Sequence, residues 1–449
     1  MLEQDVARHL CEQALSTSRA DACEVLLGGG ADALTRFANN EIHQNMASEA
    51  YELSVRSLIG RRTGRATTTR LDAEGIRRVV EESERVTRLC PERDDLLRLP
   101  QPQAYRDVPG AFDAPTADAS PETRAEAVRA IVAAAEARDL VAAGFVSTVV
   151  GCVGDYGDKG TIAVANSNGL FACHQATALR ISATLQGADS TGWVDVQSHR
   201  GADLDAAALG RLAADKAVAA AAPRELPPGE YTVVLEAAAV ADLLAFTTLE
   251  WSATVVDEGR SFLSGRTGSR IFGPNIRLWD DPYHPLHQGT PFDEEGMPTA
   301  PVLLVEDGVQ RGLVYDRVAA ARHGVPPTGH ALPVPSTEGA AAQHLVLEGG
   351  ASSLAEMIQG TERGILVTRF WYTRPVDPRQ LLITGMTRDG TFLIEGGEVR
   401  HGIKNLRFNH SLIDLLQRVR ALGRAVYASP AVVPPLLADG FRFTSTTTF

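Results

Sequence analysis

The stretch that divides the chain is AAPRELPPGEY, residues 221–231. An alanine run that ends on paired prolines cannot stay helical, because proline lacks the helix N–H and clashes with the preceding turn, and it cannot join a central strand. The pattern differs on the two sides of this break. Upstream, helical periodicity alternates with short strand-like runs; downstream, apolar strands and tight turns predominate. An α+β protein with two domains, 1–222 and 229–449, is therefore expected, and 449 residues are too many for one ordinary core.

Upstream of the break one pattern is written twice. Residues 4–18 read as a helix, CEVLLGG, ALTRFANN, YELSVRSLIG and RRTGRATTT as four strands, and 71–89 as a polar amphipathic helix. After a Pro- and Asp-rich connector at 97–121, SPETRAEAVRAIVAAAEA opens with Ser120 as N-cap and Pro121 at the first helical position. LVAAGFVSTVVGCV, GTIAVANSN, LFACHQAT and LRISATLQGA are strand-like, and 203–221 reads as a closing helix. The order of elements suggests a duplicated unit, 1–93 and 120–222, although residue identity between the two is poor. Gly28, Gly29 and Gly30 read as a hairpin turn, since a nucleotide loop would open a helix and the residues after these glycines are strand-like. GDYGDKG at 154–160 reads as a turn between strands.

Downstream, VLLVEDGVQRGLVY is strand, Asp-Gly, strand, and LLITGMTRDGTFLIEGGEVRHGIKNLRF carries another Asp-Gly and a Gly-Gly, dipeptides that fit two-residue hairpin turns. This half is predicted to be β-rich, with helices only near 236–252, 316–323, 352–360 and 410–422. The final FRFTSTTTF reads as a strand paired in a sheet.

Composition narrows the function classes. With 43 Lys and Arg against 56 Asp and Glu, the net charge is −13, and no basic run exceeds GRRTGR at 60–65, which argues against nucleic acid. No apolar run approaches the roughly 20 residues of a membrane span, and MLEQDVARHLCEQAL reads as an acidic amphipathic helix rather than a signal sequence. A cytoplasmic protein is expected. The cysteines, Cys11, Cys23, Cys90, Cys152 and Cys173, contain no CxxC pair, so neither a disulfide framework nor a zinc knuckle is indicated. Cys152 and Cys173 sit in apolar strand patterns and read as buried thiols.

Several blocks carry a resemblance. ALTRFANNEIHQN with SVRSLIGRRTGRATTT, PPGEYTVVLEAAAVADLL, SFLSGRTG, PFDEEGMPTAPVLLVEDGVQRGLVYDRVAAARHG and GTFLIEGGEVRHGIKNLRF together resemble the TldD/PmbA family, in the same order across nearly the whole chain. The resemblance implies a two-domain α+β protein that works as a dimer. In the family, a TldD-type zinc peptidase pairs with a TldE (PmbA)-type subunit that lacks the zinc motif, in breakdown of unfolded peptides and removal of leader peptides.

The resemblance also implies where a metal would be held. Family zinc subunits carry a HExxxH helix, two His binding the ion and the Glu serving as general base on a bound water, with a third ligand from a Cys near the C-terminus. With FLSG at 262–265 setting the register, those slots fall in LAFTTLEWSATVVDEGRSFLSGRTG, residues 244–268. Leu244 and Leu249 occupy the His positions and Ala245 that of the Glu. No His lies between His199 and His284, and no Cys comes after Cys173. No catalytic residue and no cofactor are therefore expected in this chain, and zinc only in a TldD-type partner.

Other residues are candidates for a substrate or partner cleft. His284 and His287, in DDPYHPLHQGTPFDEEG, form an HxxH pair among carboxylates, but Pro282 and Pro285 oppose a helical arrangement, so a solvated or substrate-touching loop is expected over a metal site. Asp257, Glu258 and Arg260 read either as a polar lip on a cleft or as a capped helix end. TRFWYTRPVDPRQ gathers Arg369, Phe370, Trp371, Tyr372 and Arg374, residue types enriched at interfaces; the plainer reading is an alternating strand with Phe370 and Tyr372 inward. The function expected is a TldE-like subunit, in a heterodimer with a zinc subunit or a homodimer, binding extended peptide at a sheet edge. The alternatives are a self-sufficient homodimeric peptidase with an unconventional site, and a non-enzymatic regulator of a folded partner.

Overall fold

The computed structural model describes residues 2–151, 161–287 and 289–447. Cys152 and the expected turn at 154–160 lie outside them. α1 (Gln4–Thr17) leads into β1 (Ala22–Ala38), β2 (Glu41–Ile59) and β3 (Arg62–Thr68), followed by α2 (Ala73–Leu89). After the short α3 (Ala114–Ala117), α4 (Pro121–Glu136) leads into β4 (Val141–Gly151), β5 (Thr161–Asn166), β6 (Phe171–Cys173), β7 (Ala176–Gln186) and β8 (Thr191–Ser198), followed by α5 (Ala206–Ala219). Asp72 and Ser120 cap α2 and α4, their side chains accepting from Gly75 N and Thr123 N.

These strands make one sheet in the order β3-β2-β1-β4-β7-β8, with β5 on β1 and β6 on β5. The order has a centre: β1 and β4, each the first strand after a helix, pair antiparallel there. Each helix pair covers its own side. Ala7, Leu10 and Cys11 of α1 with Ile76, Val79 and Val80 of α2 bury Val25, Leu27, Leu53 and Val55. Val128 and Ile131 of α4 with Ala213 and Ala217 of α5 bury Val146, Ile181, Leu185 and Val194.

The first unit holds three strands where four were expected, because CEVLLGG and ALTRFANN are both β1. Gly28–Gly30 are mid-strand rather than a hairpin turn. A Cβ on Gly29 would lie 2.2 Å from the Ala50 carbonyl oxygen, and one on Gly30 2.3 Å from that of Val150, so glycine is what lets β1 pass between β2 and β4. The turn sits instead at Asn39 and Asn40, with φ of 53° and 63°, in the left-handed region that Asn tolerates. Cys173 is half-buried, and burial pushes its thiol up to about 11.

The second half begins with β9 (Gly229–Leu235), α6 (Ala237–Leu244), α7 (Ala253–Asp257), β10 (Leu278–Asp280), β11 (Val302–Glu306), β12 (Val309–Gln310), α8 (Arg317–His323), β13 (Leu345–Leu347) and α9 (Leu354–Gln359). β14 (Arg363–Asp377), β15 (Leu382–Glu395), β16 (Glu398–Gly402), β17 (Leu406–Ser411), α10 (Leu412–Gln417), β18 (Val419–Leu422), β19 (Val426–Ala428), β20 (Ala431–Val433) and β21 (Leu436–Thr446) complete it. One sheet runs β12-β11-β10-β13-β20-β19. The other runs β14-β9-β21-β17-β15, and a further β14–β15 pairing closes it into a ring around Phe370, Phe408, Phe441 and Phe443.

Three expectations in this half need correction, one being the helix expected over 410–422, which ends at Gln417 and gives way to β18. The helix expected over 236–252 stops at Leu244, because the Thr247 and Thr248 hydroxyls bond back to the Leu244 and Ala245 carbonyls at 2.8 and 2.9 Å and the chain tightens into a 3₁₀ turn at Ala245–Thr247. Asp307-Gly308 and Gly396-Gly397 do turn hairpins, but Asp389-Gly390 lies inside β15 as a bulge, with φ of 53° and 119°. Among the described residues no helix is long and apolar enough to cross a membrane.

Candidate functional site

A cavity of about 800 Å³ lies where the first sheet meets the loops of the second half. Gly151, His174, Gln197 and His199 line it from the ends of first-sheet strands. Asp242 of α6 and Ala245, Phe246 and Thr248 beyond that helix form a second wall. Trp371, Tyr372 and Thr373 of β14 form a third, and His287, Asp293, His330 and His344 arrive on loops.

The loops are fixed by buried polar groups. Asp293 Oδ1 accepts from the backbone N–H groups of Glu295 (3.0 Å) and Met297 (2.9 Å), and its Oδ2 accepts from Ala331 N–H at 2.9 Å, joining the 291–299 turn to the His330 segment. Burial and the nearby Glu295 push this carboxyl up to about 7, against three donors that favour the charged form. Asp280, fully buried at the end of β10, accepts from His330 Nε2 at 2.8 Å and from His344 N–H at 2.8 Å. These histidines hold it far below the usual carboxylate range despite burial. His330 Nδ1 meets the Thr328 carbonyl at 2.9 Å and the Thr328 hydroxyl at 3.0 Å, so the ring is held between Asp280 and the 328 segment.

Clamps between the two halves set the cavity walls. His199 places Nδ1 2.7 Å from the Thr177 carbonyl and Nε2 3.1 Å from that of His287. Arg65, paired with buried Glu24, donates to the Val334 carbonyl at 2.7 Å. Arg369 lies over the rings of Trp193 and Trp371 and pairs with Asp389, which also accepts from Thr191 of β8. The Asp389-Gly390 bulge thus aims a carboxylate at this arginine.

Burial pushes the His174 imidazole down to about 4 and that of His287 to about 3. His287 Nε2 faces the Pro430 carbonyl at 3.3 Å, which assigns the ring proton there. The loop holding His284 and His287, expected to be solvated or substrate-touching, is divided: Pro285 and Leu286 are exposed, while His287 is 9% exposed, lines the cavity and packs edge-on against His344 and Tyr427. His284 stays outside the cavity, its Nδ1 accepting from Leu286 N–H at 3.2 Å.

The three slots at the HExxxH register separate. Leu244 is in the core, Ala245 is on the cavity wall, and Leu249 is 41% exposed. Among the described residues no three His, Cys, Asp or Glu side chains are grouped to hold a metal ion. Asp257, Glu258 and Arg260 stand away from the cavity as surface pairs, Asp257 with His323 at 2.8 Å and Arg260 with Glu258 and Glu338. Of the cleft candidates, His287 and Trp371 line the cavity, Arg369 braces it, and Arg374 lines an adjoining groove. The histidines at 174, 199, 330 and 344, with Asp242 and Asp280, were not legible as a group because they are far apart in sequence.

β14 supplies an open edge at this site. β9 pairs with it only over Gly364–Val367; beyond that, Phe370 N–H donates to Asp242 Oδ2 at 2.8 Å. From Trp371 to Val376, among the described residues, β14 has a strand partner on one side only, β15. Tyr372 takes φ 50° at a register shift, so it turns outward, 65% exposed, while Phe370 alone points inward; strict alternation would have buried both. Pro375, which lacks an N–H, fits an edge strand.

Asp242 makes the pH response of this wall testable. Burial pushes its carboxyl up to about 6, the Phe370 N–H and Arg369 opposing. A carboxyl raised above its unfolded value of about 3.9 contributes stability that is full below that pH and lost as pH rises through the folded value, here about 2 to 3 kcal/mol. Asp242→Asn, neutral throughout, is expected to flatten the fall in stability between pH 4 and pH 7, measured by urea unfolding at a series of pH values. An unchanged slope in the variant would refute the assignment.

Comparison with known proteins agrees with this architecture. Residues 23–87 match PmbA/TldA metallopeptidase domain 1, 114–221 the central domain and 228–445 the C-terminal domain. A metalloprotease of Methanothermobacter thermautotrophicus is 25% identical over 220 residues, 48% of this chain and 47% of that protein. A TldD homolog described as a metalloprotease in Haemophilus influenzae is 25% identical over 167 residues, 35% of this chain and 33% of that protein. The chain thus matches less than half the length of these curated relatives. TldE from Thermococcus kodakarensis superposes with a TM-score of 0.83 at 22% identity, covering 98% of this chain and all of that one. A Thermotoga maritima protein described as a candidate modulator of a DNA gyrase gives 0.84 at 19% identity over 98% of this chain and all of that one. With three consecutive domains matched in order and the TldE fold throughout, the chain belongs to the PmbA/TldD metallopeptidase family.

Proposed function

We propose that this chain is a TldE-type subunit of a TldD/TldE metallopeptidase, forming one wall of a cleft for unfolded or leader peptides and leaving hydrolysis to a zinc-bearing TldD-type partner. One observation carries the reading: the cavity wall at the family's metal-helix register presents Ala245 and Phe246, which have no donor atom for zinc, beside the free edge of β14. That edge offers backbone N–H and C=O groups to an extended chain from Trp371 to Val376, recognition that depends little on side-chain sequence. Trp371 and Tyr372, 37% and 65% exposed, supply aromatic contact. A folded protein cannot insert a strand there, so unfolded substrates are favoured. A cytoplasmic location belongs to the same reading.

The test is reconstitution with a HExxxH-containing relative from the same genome, assaying cleavage of an unfolded peptide by each chain alone and by both. Cleavage is expected only with both chains, with zinc bound by the partner and chelator abolishing activity. Chelator-sensitive cleavage by this chain alone would overturn the proposal.

A further inference from the structure

A second groove, about 270 Å³, adjoins the cavity and is lined by Tyr372, Arg374, Thr384, Gly385, Met386 and Arg407. We infer that this groove holds a carboxylate carried by the bound peptide, on a side chain or at its C-terminus; the inference rests on the peptide-cleft reading and gives it a charge preference. Tyr372 lines both spaces, so the groove continues the cavity along β14. Arg374 pairs in register with Thr384 and Arg407 with Met386, on opposite sides of β15. Positions 384 and 386 are two apart in one strand and so share a face, which brings both arginines to the same side of the sheet.

Their environment calls for an anion. Arg374 and Arg407 are exposed, and among the described residues neither has a carboxylate or hydrogen-bond partner for its guanidinium. The nearby arginines differ: Arg369 pairs with Asp389, and Arg388 approaches the same carboxylate while lying over Trp371. Two guanidinium groups lining one groove, neither paired with a carboxylate among the described residues, leave their donors free for an anion. Guanidinium suits a carboxylate because its donors form a planar fork. Because of the bulge at Tyr372, Trp371 and Arg374 span only two residues of β15, Met386 to Thr384, so at about 3.3 Å per residue a peptide lying along the edge from Trp371 reaches Arg374 after about two residues. The favoured carboxylate therefore lies about two residues from the one seated at the cavity mouth.

The experiment measures fluorescence anisotropy of this chain with labelled unfolded nonapeptides. An amidated all-neutral peptide is compared with a series placing one Glu in place of Gln at each position, and with the neutral peptide ending in a free carboxylate. At low ionic strength one placement of the carboxylate, internal or terminal, is expected to tighten binding about fivefold, an advantage that fades at high salt. In the R374A/R407A variant the acidic and neutral peptides are expected to bind alike, while R374K/R407K, which keeps the charge but loses the fork, retains part of the preference. If neutral peptides bind and no carboxylate helps, or if the advantage survives in R374A/R407A, the cleft reading stands and the groove assignment alone falls. If no peptide binds, both fall.

Discussion

Asp280→Ala is expected to destabilise the protein by about 3 to 5 kcal/mol, the range for removing one partner of a buried, hydrogen-bonded charge pair. Asp280 and His330 are at most 1% exposed at their side chains, with Nε2 2.8 Å from Oδ1. Removing the carboxylate leaves the His330 ring without its acceptor and strips the His344 backbone N–H of the oxygen it reaches at 2.8 Å. Both histidines line the cavity, so the loss also loosens two of its walls. Asp280→Asn keeps the volume and one acceptor, and about half the loss is expected. Because the folded carboxyl is held below its usual range, its contribution is present above the unfolded value of about 3.9 and is lost only as pH falls below it. The gap between native protein and Asp280→Ala should therefore be full at pH 5 and narrow below pH 4. Urea midpoints at unchanged slope measure it; a loss under 1 kcal/mol would show that the pair is not structural.

The site that depends on this pair was only partly legible in the chain. The end of α5 before the paired prolines and the Asp307-Gly308 hairpin could be read because each is decided locally, by proline chemistry or by a dipeptide joining two neighbouring strands. Gly28–Gly30 and Asp389-Gly390 misled for a common reason. Glycine can mark a turn or the close passage of another backbone, and only the tertiary pairing of β1 with β4, or the bulge facing β14, decides between them. The cavity is a stronger case. His174 and His199 come from the first sheet, and His287, His330 and His344 from loops of the second half, so no local spacing connects them. Trp371, a candidate from the sequence, lines the cavity, whereas the outward turn of Tyr372 was not legible, because strand alternation carries no sign of a bulge. The donor-free residues at 244, 245 and 249 were legible as residue types, but their scatter among core, wall and surface comes from a helix that stops at Leu244.

Phe441→Ala is the other large expected effect, a loss of about 3 to 5 kcal/mol, as for large-to-small changes of buried aromatic residues. Phe441 is fully buried inside the closed ring of strands and meets four rings: Phe370 at 5.7 Å between centroids, Phe408 at 5.4 Å, Phe443 at 5.0 Å and His410 at 4.5 Å. Each aromatic pair adds roughly 0.5 to 1.5 kcal/mol beyond burial, and a closed barrel has little freedom to collapse onto the vacated volume. Phe441→Leu fills most of that volume, and a loss of about 1 to 2 kcal/mol is expected from it. The consequence reaches the cleft through one residue. Phe370 stacks on Phe441 within the barrel and also lines the cavity, immediately before the free edge that begins at Trp371. A vacancy beneath Phe370 frees that edge to move; on the proposed function an extended peptide then has to order it on binding, and Phe441→Ala should weaken peptide binding even under conditions where the variant is fully folded. Urea unfolding and peptide anisotropy on the same samples test both halves of the argument. A stability loss below 1.5 kcal/mol would mean that the barrel repacks; intact binding in a clearly destabilised variant would mean that β14 is held by its pairing with β15 alone.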